Sequence, residues 1–245
     1  MLSYFKKHLL SPDSDLDKSL SVVVLCAGKS SRFKQHYPKH LATIQGIPSI
    51  VRVIKQLKRN NVHDISMTVS EDNQKYFKNI KVNKILGSDK REIDRFRNAF
   101  DFINNKEKVL FLYGDVVYHD SDIQTILNSA KETGNKFFGR YGKNTLTHKP
   151  YGELFGILIN DKEKFFNTVN KVVDLYDKKL IKREIGWEVY RVSEGLDPLV
   201  HKIKDNFIEL SQLTDDYDTF EQYKIICKLH HSATFQEKSH EPIAG

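Results

Sequence analysis

The feature that most constrains the fold is an alternation beginning at Ser21, in which short apolar runs of strand character are separated by longer stretches of helical period. SVVVLCA (21–27) is uncharged and β-branched, the composition of a strand buried on both faces. PSIVRVIKQLKRNN (48–61) then opens on Pro48 and places Ile50, Val53, Ile54 and Leu57 on one helical face. DISMTVS (64–70) and VNKILG (82–87) read as further strands. Residues 92–102 read as a helix with Ile93, Phe96, Phe100 and Ile103 inward, and KVLFLYGD (108–115) as an apolar strand ending in a carboxylate. A helix capped by Ser121 runs through Ala130; KFFGRY (136–141) and ELFGILIN (153–160) are strands around a turn-rich segment; 161–176 is helical. NFIEL (206–210) reads as the last strand and TFEQYKIICKLH (219–230) as a closing helix. This order predicts an α/β fold, a doubly wound, mainly parallel mixed sheet with helices on both faces.

The 245 residues suit one such domain with a small appendage. The expected division is a leader over 1–20 (a short amphipathic helix and an acidic linker), a catalytic-sized domain over 21–230 and a flexible tail over 231–245. Lys and Arg number 39 against 32 Asp and Glu, for a net charge of +7, which suits nucleic acid, an anionic membrane or phosphorylated small molecules. The charge is dispersed and no recognition module is visible, which counts against nucleic acid. No apolar run approaches the roughly 20 residues that cross a bilayer, and no secretory core is present. Cys26 and Cys227 have neither disulfide-framework nor zinc spacing. The expectation is a soluble protein of a reducing cytoplasm.

Directly after the first strand come Gly28, Lys29, Ser30, Ser31 and Arg32. A glycine at 28 can take backbone angles that other residues avoid and so turn successive N–H groups toward one anion; Ser30 and Ser31 add hydroxyl donors. With Lys39, the loop puts three cations within eleven residues, a combination suited to a triphosphate. The spacing is neither that of a P-loop nor of a dinucleotide fingerprint, and structural turns share this composition. DDYDTFEQY (215–223) reads as an acidic helix start with Thr219 or Asp218 as N-cap. GSDKREIDRFRNAF (87–100) reads as an amphipathic helix with a basic outer face, and His230, His231 and His240 as surface residues.

LCAGKSSRF (25–33) followed by YPKHLATIQGIPSI (37–50) resembles the N-terminal signature of the nucleotidyltransferases that make nucleoside-diphosphate-linked sugars, alcohols and cholines. Leu25, Ala27, Gly28 and Arg32 match its first part, Pro38 and Lys39 its second, Gly46 and Pro48 its third. Ser30 stands where the family usually has its second glycine. The resemblance implies a glycosyltransferase-A-like fold, a nucleoside triphosphate held by Leu25, Ala27, Gly28, Lys29, Ser30 and Ser31, and transfer to an acceptor phosphate with loss of pyrophosphate. Arg32 would steady the triphosphate and Lys39 contact the transferring phosphate. Asp115 resembles the family's strand-terminal Gly-Asp, a ligand of metal and nucleotide, and DDYDTFEQY its closing acidic motif, with Asp216 and Asp218 as further ligands of Mg²⁺ or, alternatively, Mn²⁺. Phe220 and Gln222 depart from that motif. Residues 87–100 resemble a segment of cytidylyltransferases, which implies CTP bound through Arg91 and Asn98, with Arg95 where those relatives have a serine. Tyr151, Glu153, Trp187 and Glu188 are expected to line the site of a small phosphorylated acceptor. By analogy the product would serve cell-surface or capsule synthesis, with residues 1–10 as an arm of a possible homodimer. The alternatives are a uridylyl-, guanylyl- or thymidylyltransferase of the same fold, or a nucleotide-sensing domain without turnover.

Overall fold

The computed structural model describes residues 19–87, 91–102, 106–142, 147, 151–204 and 206–238. At its centre lies β1 (Leu20–Leu25), every residue of which is buried. It pairs in parallel with β4 (Ile65–Val69) on one side and β6 (Lys108–Tyr113) on the other. Seven strands form one sheet in the order β10–β8–β9–β6–β1–β4–β5. The others are β5 (Asn83–Leu86), β8 (Lys136–Arg140), β9 (Glu153–Ile159) and β10 (Phe207–Glu209). Only β9 runs against its neighbours, which makes the sheet mixed but mainly parallel.

Alternate side chains of β1 enter opposite layers, as the period of two demands. Val22 and Val24 pack with Ile50, Val53 and Leu57 of α1 (Ser49–Arg59) and with Ile123 and Ile126 of α3 (Asp120–Ser129). Val23 and Leu25 face α2 (Glu92–Phe102), α4 (Lys162–Asp177) and α5 (Gly186–Ser193), through Ile93, Phe96, Phe165, Val169 and Tyr190. Both faces of the sheet are thus covered, as expected, and each fully buried aliphatic side chain contributes about 1.5 to 3 kcal/mol. A third, smaller cluster around Phe33, Ile44, Val117, Tyr217 and Ile226 lies beside the sheet and seats α6 (Phe220–Lys238).

The winding of the chain locates the site. From β1 it moves outward to β4 and β5, then returns to β6 on β1's other side, so the carboxyl ends of β1 and β6 form a topological switch point. Leu25 and Tyr113 lie in register there, and the 26–32 loop and Gly114–Asp115 both emerge from this edge.

Several local details differ from expectation. The cap of α3 is His119, whose ring nitrogen lies 3.4 Å from the Ser121 amide; Ser121 is already the second residue of the helix. Pro48 is the N-cap of α1 and ends the hairpin of β2 (Thr43–Ile44) and β3 (Ile47–Pro48). α5 forms in the unassigned 181–195 stretch, and α6 continues past residue 230 to Lys238. A two-stranded ribbon pairs β7 (Val116–Val117) with β11 (Asp215–Asp216). The expectations for 1–18, for Ile103 and for His240 lie outside the described residues. No helix among the described residues is long and apolar enough to cross a membrane.

Candidate active site

One wall of the cleft is the loop after β1. Within residues 26–32 the left-handed residue is Ser30, with φ of 55°, and not Gly28, which lies outside that region. A non-glycine residue in this region costs roughly 1 to 2 kcal/mol. Local bonds offset the cost: the Ser30 hydroxyl accepts from the Lys39 amide at 3.2 Å, and its carbonyl accepts from the Phe33 amide at 3.0 Å. Where the resemblance leads one to expect a glycine, the chain thus has a residue that ties the loop to the lysine. Phe33, fully buried, anchors the loop by ring contacts with Tyr37, Tyr217, Phe220 and Tyr223 at 5.8 to 6.1 Å. Tyr217 donates its hydroxyl to the Lys39 carbonyl at 2.7 Å and lies 2.7 Å from the Ser49 hydroxyl.

The opposite wall begins at Gly114, whose amide donates to the Leu25 carbonyl at 3.1 Å. A Cβ here would lie 2.4 Å from Cys26 Sγ, so only glycine lets the chain pass this close before Asp115. The ribbon β7–β11 then brings the distant acidic segment alongside, with Asp216 opposite Val116. Asp215 is structural, accepting from the Thr147 amide and hydroxyl at 3.0 and 3.2 Å. Thr219 accepts from the Gln222 amide at 3.2 Å while the Gln222 side chain accepts from the Thr219 and Asp218 amides, a reciprocal capping box. The glutamine that departs from the family motif thus closes the helix cap, and the Asp218 carboxylate is left to face the cleft.

Asp115, Asp216 and Asp218 each present an oxygen, all within 4.8 Å of one another. The Lys39 ammonium sits 2.5 Å from Asp115 and 2.9 Å from Asp218, and Arg32 reaches Asp218 at 2.9 Å. Burial pushes Lys39 down, but Asp115 and Asp218 outweigh it and hold the ammonium well above its ordinary range. Burial likewise opposes the charge on Asp115, which Lys39 and then His40 nonetheless hold down to about 2. His40, buried under Asp115, is pushed down to about 4 by its desolvation and is neutral near pH 7. Three clustered carboxylates are the hard oxygen donors that Mg²⁺ takes, alongside substrate phosphate and water. The donor set fits a divalent ion.

Between the walls is a cleft of about 400 Å³. Its lining includes Leu25, Gly28, Lys29, Ser30, Ser31 and Arg32 of the loop, together with Lys39, Asp115, Asp216 and Asp218, and Tyr151, Glu153 and Trp187. Ala27 is buried beneath the loop. Three expected residues are elsewhere. Arg91 pairs with both oxygens of Glu184, lies 3.5 Å from Asp177 and stacks over Tyr176 at 5.5 Å, bracing α2 against the end of α4. Asn98 is exposed on α2 away from the lining. Glu188 is buried in the first turn of α5, accepting from the Ile185 amide at 3.4 Å and lying 3.5 Å from Arg183 and Arg191; burial pushes its carboxyl up. Arg91 and Glu188 have structural partners that their residue types alone do not reveal.

Glu92, Arg95, Tyr113 and Arg183 line the cleft without having been singled out as ligands. Glu92 accepts from the Tyr113 hydroxyl at 2.8 Å and the Gly186 amide at 3.0 Å, which joins α2, β6 and α5 at the floor. Arg95 extends toward Gly28. The helical period held the signal, since Glu92 and Arg95 each precede an inward residue, Ile93 and Phe96, and so border the buried face of α2.

Solved structures similar to this fold include a protein assigned as a glucose-1-phosphate thymidylyltransferase from Bacillus anthracis, in complex with sucrose (14% identity, TM-score 0.61, covering 86% of this chain and 95% of that one). Another is 4-diphosphocytidyl-2C-methyl-D-erythritol synthase from Anaerococcus prevotii (13%, 0.61, 87% and 99%). A third is HddC from Yersinia pseudotuberculosis complexed with GMP-PN (17%, 0.53, 85% and 98%). At these identities the likeness establishes the fold alone. The family model of the MobA-like NTP transferase domain matches residues 22–151, more than half of the chain and the stretch that carries the loop, Lys39 and Asp115. The chain is a member of the MobA-like NTP transferase domain family.

Proposed function

We propose that the chain is a cytoplasmic, Mg²⁺-dependent nucleotidyltransferase that joins a nucleoside monophosphate, CMP from CTP in preference, to a small phosphorylated acceptor. The observation that carries this reading is the placement of Lys39 between Asp115 and Asp218, facing the 28–32 loop in a single cleft. In the reaction an acceptor phosphate oxygen forms a bond to the α-phosphorus of the triphosphate, the bond from that phosphorus to the bridging oxygen breaks, and pyrophosphate leaves. The work required of the protein is alignment of two anions and neutralisation of their charge.

The loop amides, Lys29, the serine hydroxyls and Arg32 hold the triphosphate. Lys39 neutralises the transferring phosphoryl group, and Asp115, Asp216 and Asp218 would hold the ion. When bound, a divalent ion supplies charge neutralisation on the phosphoryl oxygens. Arg95, beside Gly28, takes the part first expected of Arg91 and Asn98 at the nucleotide. Tyr151, Glu153, Trp187 and Arg183 hold the acceptor. The preference for CTP and a place in cell-surface assembly rest on the sequence resemblance.

The test is pyrophosphate release measured over a matrix of four nucleoside triphosphates and a set of phosphorylated sugars, polyols and amines, with Mg²⁺. The expected result is turnover with CTP and one acceptor class, suppressed at least a hundredfold in Asp115→Asn. Turnover with another nucleotide alone refutes the CTP assignment. Tight nucleotide binding without any turnover would make the chain a sensor.

A further inference from the structure

A second cavity, of about 710 Å³, lies against the outer face of α1 and shares no lining residue with the catalytic cleft. The inner face of α1 is apolar, whereas Arg52, Lys55 and Arg59 recur at i, i+3 and i+7 on the outer side, with Lys58 beside them. The cavity is closed by the β2–β3 hairpin at Gln45, by the start of α3 at His119 and Asp120, and by His230 of α6.

The charges here are not balanced. Asp120 is the one carboxylate in the lining, set against the four cations Arg52, Lys55, Lys58 and Arg59. It is already engaged by Arg59 at 3.0 Å and by the Gln56 amide at 2.7 Å. Arg52 makes no ion pair among the described residues: Nη1 reaches Gln45 Oε1 at a long 3.4 Å, and Nε is buried with no acceptor. A buried guanidinium N–H without an acceptor costs free energy, so the side chain is held here without a satisfied partner at Nε. The volume falls in the range of small-molecule sites and far exceeds what one phosphate ion fills.

We infer that this cavity is a second ligand site, which takes the diphosphate group of a nucleotide-sized molecule through Arg52, Lys55 and Lys58. Arg52, Lys55 and Lys58 make no ion pair among the described residues, and three cations match the charge of a diphosphate, with the Arg52 guanidinium as the planar donor among them.

The test is equilibrium dialysis of the full chain against pyrophosphate and, separately, CDP, without metal. The double variant Arg52→Ala/Lys55→Ala should lose one equivalent of bound pyrophosphate per chain, or bind it at least about tenfold more weakly, while Arg32→Ala keeps that equivalent. Lys55→Glu/Lys58→Glu, on the exposed side of the helix, repeats the measurement without touching the half-buried arginine. CDP should displace pyrophosphate from the same equivalent. Binding unchanged in both double variants overturns the site, and failure of CDP to compete overturns the nucleotide-sized ligand. Phosphatidylglycerol vesicles form a further arm: sedimentation lost in Lys55→Glu/Lys58→Glu with no loss of pyrophosphate would assign the face to a membrane surface and refute the inference.

Discussion

Replacing Gly114 by alanine tests how the core sets the position of Asp115. The new Cβ would lie 2.4 Å from Cys26 Sγ, 3.0 Å from the Leu25 carbonyl oxygen and 3.2 Å from His40 Cδ2. Ordinary carbon contacts are about 3.5 to 4 Å, so the first overlap exceeds 1 Å, and Cys26 is fully buried with no space into which to retreat. Overpacking of this kind costs about 1 to 3 kcal/mol. Cys26→Ala on its own should cost about 1 kcal/mol, through the lost sulfur and a small cavity. In Cys26→Ala/Gly114→Ala the two defects cancel in part, because the added methyl occupies the space of the deleted sulfur; only the tight approach to the Leu25 carbonyl persists. The expected coupling in a urea-unfolding double-mutant cycle is about 1 to 2 kcal/mol in favour of the double variant. Pyrophosphate release should follow the same order, since a shift of Asp115 breaks its 2.5 Å contact with Lys39: lowest in Gly114→Ala and partly restored in the pair. Additivity of the two stability losses within about 0.5 kcal/mol would refute the steric account.

His40 provides a pH test. Its folded value of about 4 lies below its ordinary 6.5, so the folded state binds its proton less readily than the unfolded chain. The neutral ring's contribution is complete above pH 6.5 and is lost as the pH falls toward 4, a loss of roughly 3 kcal/mol at about 1.4 kcal/mol per pH unit. The stability difference between the wild type and His40→Gln should therefore shrink by that amount between pH 7 and 4; a difference that stays level excludes a buried neutral histidine. Arg91→Ala should leave nucleotide affinity within about twofold and lower unfolding stability by about 1 kcal/mol, since its main partner Glu184 is buried while a third of the Arg91 side chain is exposed and its charge partly screened. A tenfold loss of CTP affinity would return Arg91 to the site. Lys39→Ala should damage turnover more than triphosphate affinity, read as kcat against Kd; an unchanged rate would remove its assigned role.

Much of the fold was legible because long apolar runs and helical faces repeat. Val22 to Leu25 alternate between two layers, and α1 buries the four residues its spacing identifies. The loop, Lys39, Asp115 and Asp218 were legible as motif positions, and they do converge. The β7–β11 ribbon was not, because two-residue strands carry no period; what pairs them is a tertiary approach between segments about a hundred residues apart. Arg91 and Glu188 were misleading for a related reason. A charged side chain beside a motif looks the same in one dimension whether it meets a substrate or, like these, a partner within the protein: Glu184 for Arg91, and Arg183 and Arg191 for Glu188. Ser30 departs from the glycine pattern, and its hydroxyl accepts from the Lys39 amide, a contact that spacing along the chain does not reveal.

The bond from Lys39 to Asp218 spans 179 positions. During synthesis, the loop, the lysine and Asp115 leave the ribosome well before the acidic ribbon that completes their surroundings. Until then the buried ammonium has one of its two counter-charges, and the carboxylate cluster has one of its three members. A nascent or truncated chain ending before Asp215 would thus carry the recognisable motif and no finished centre, so that competence to bind substrate reports on the completeness of the polypeptide.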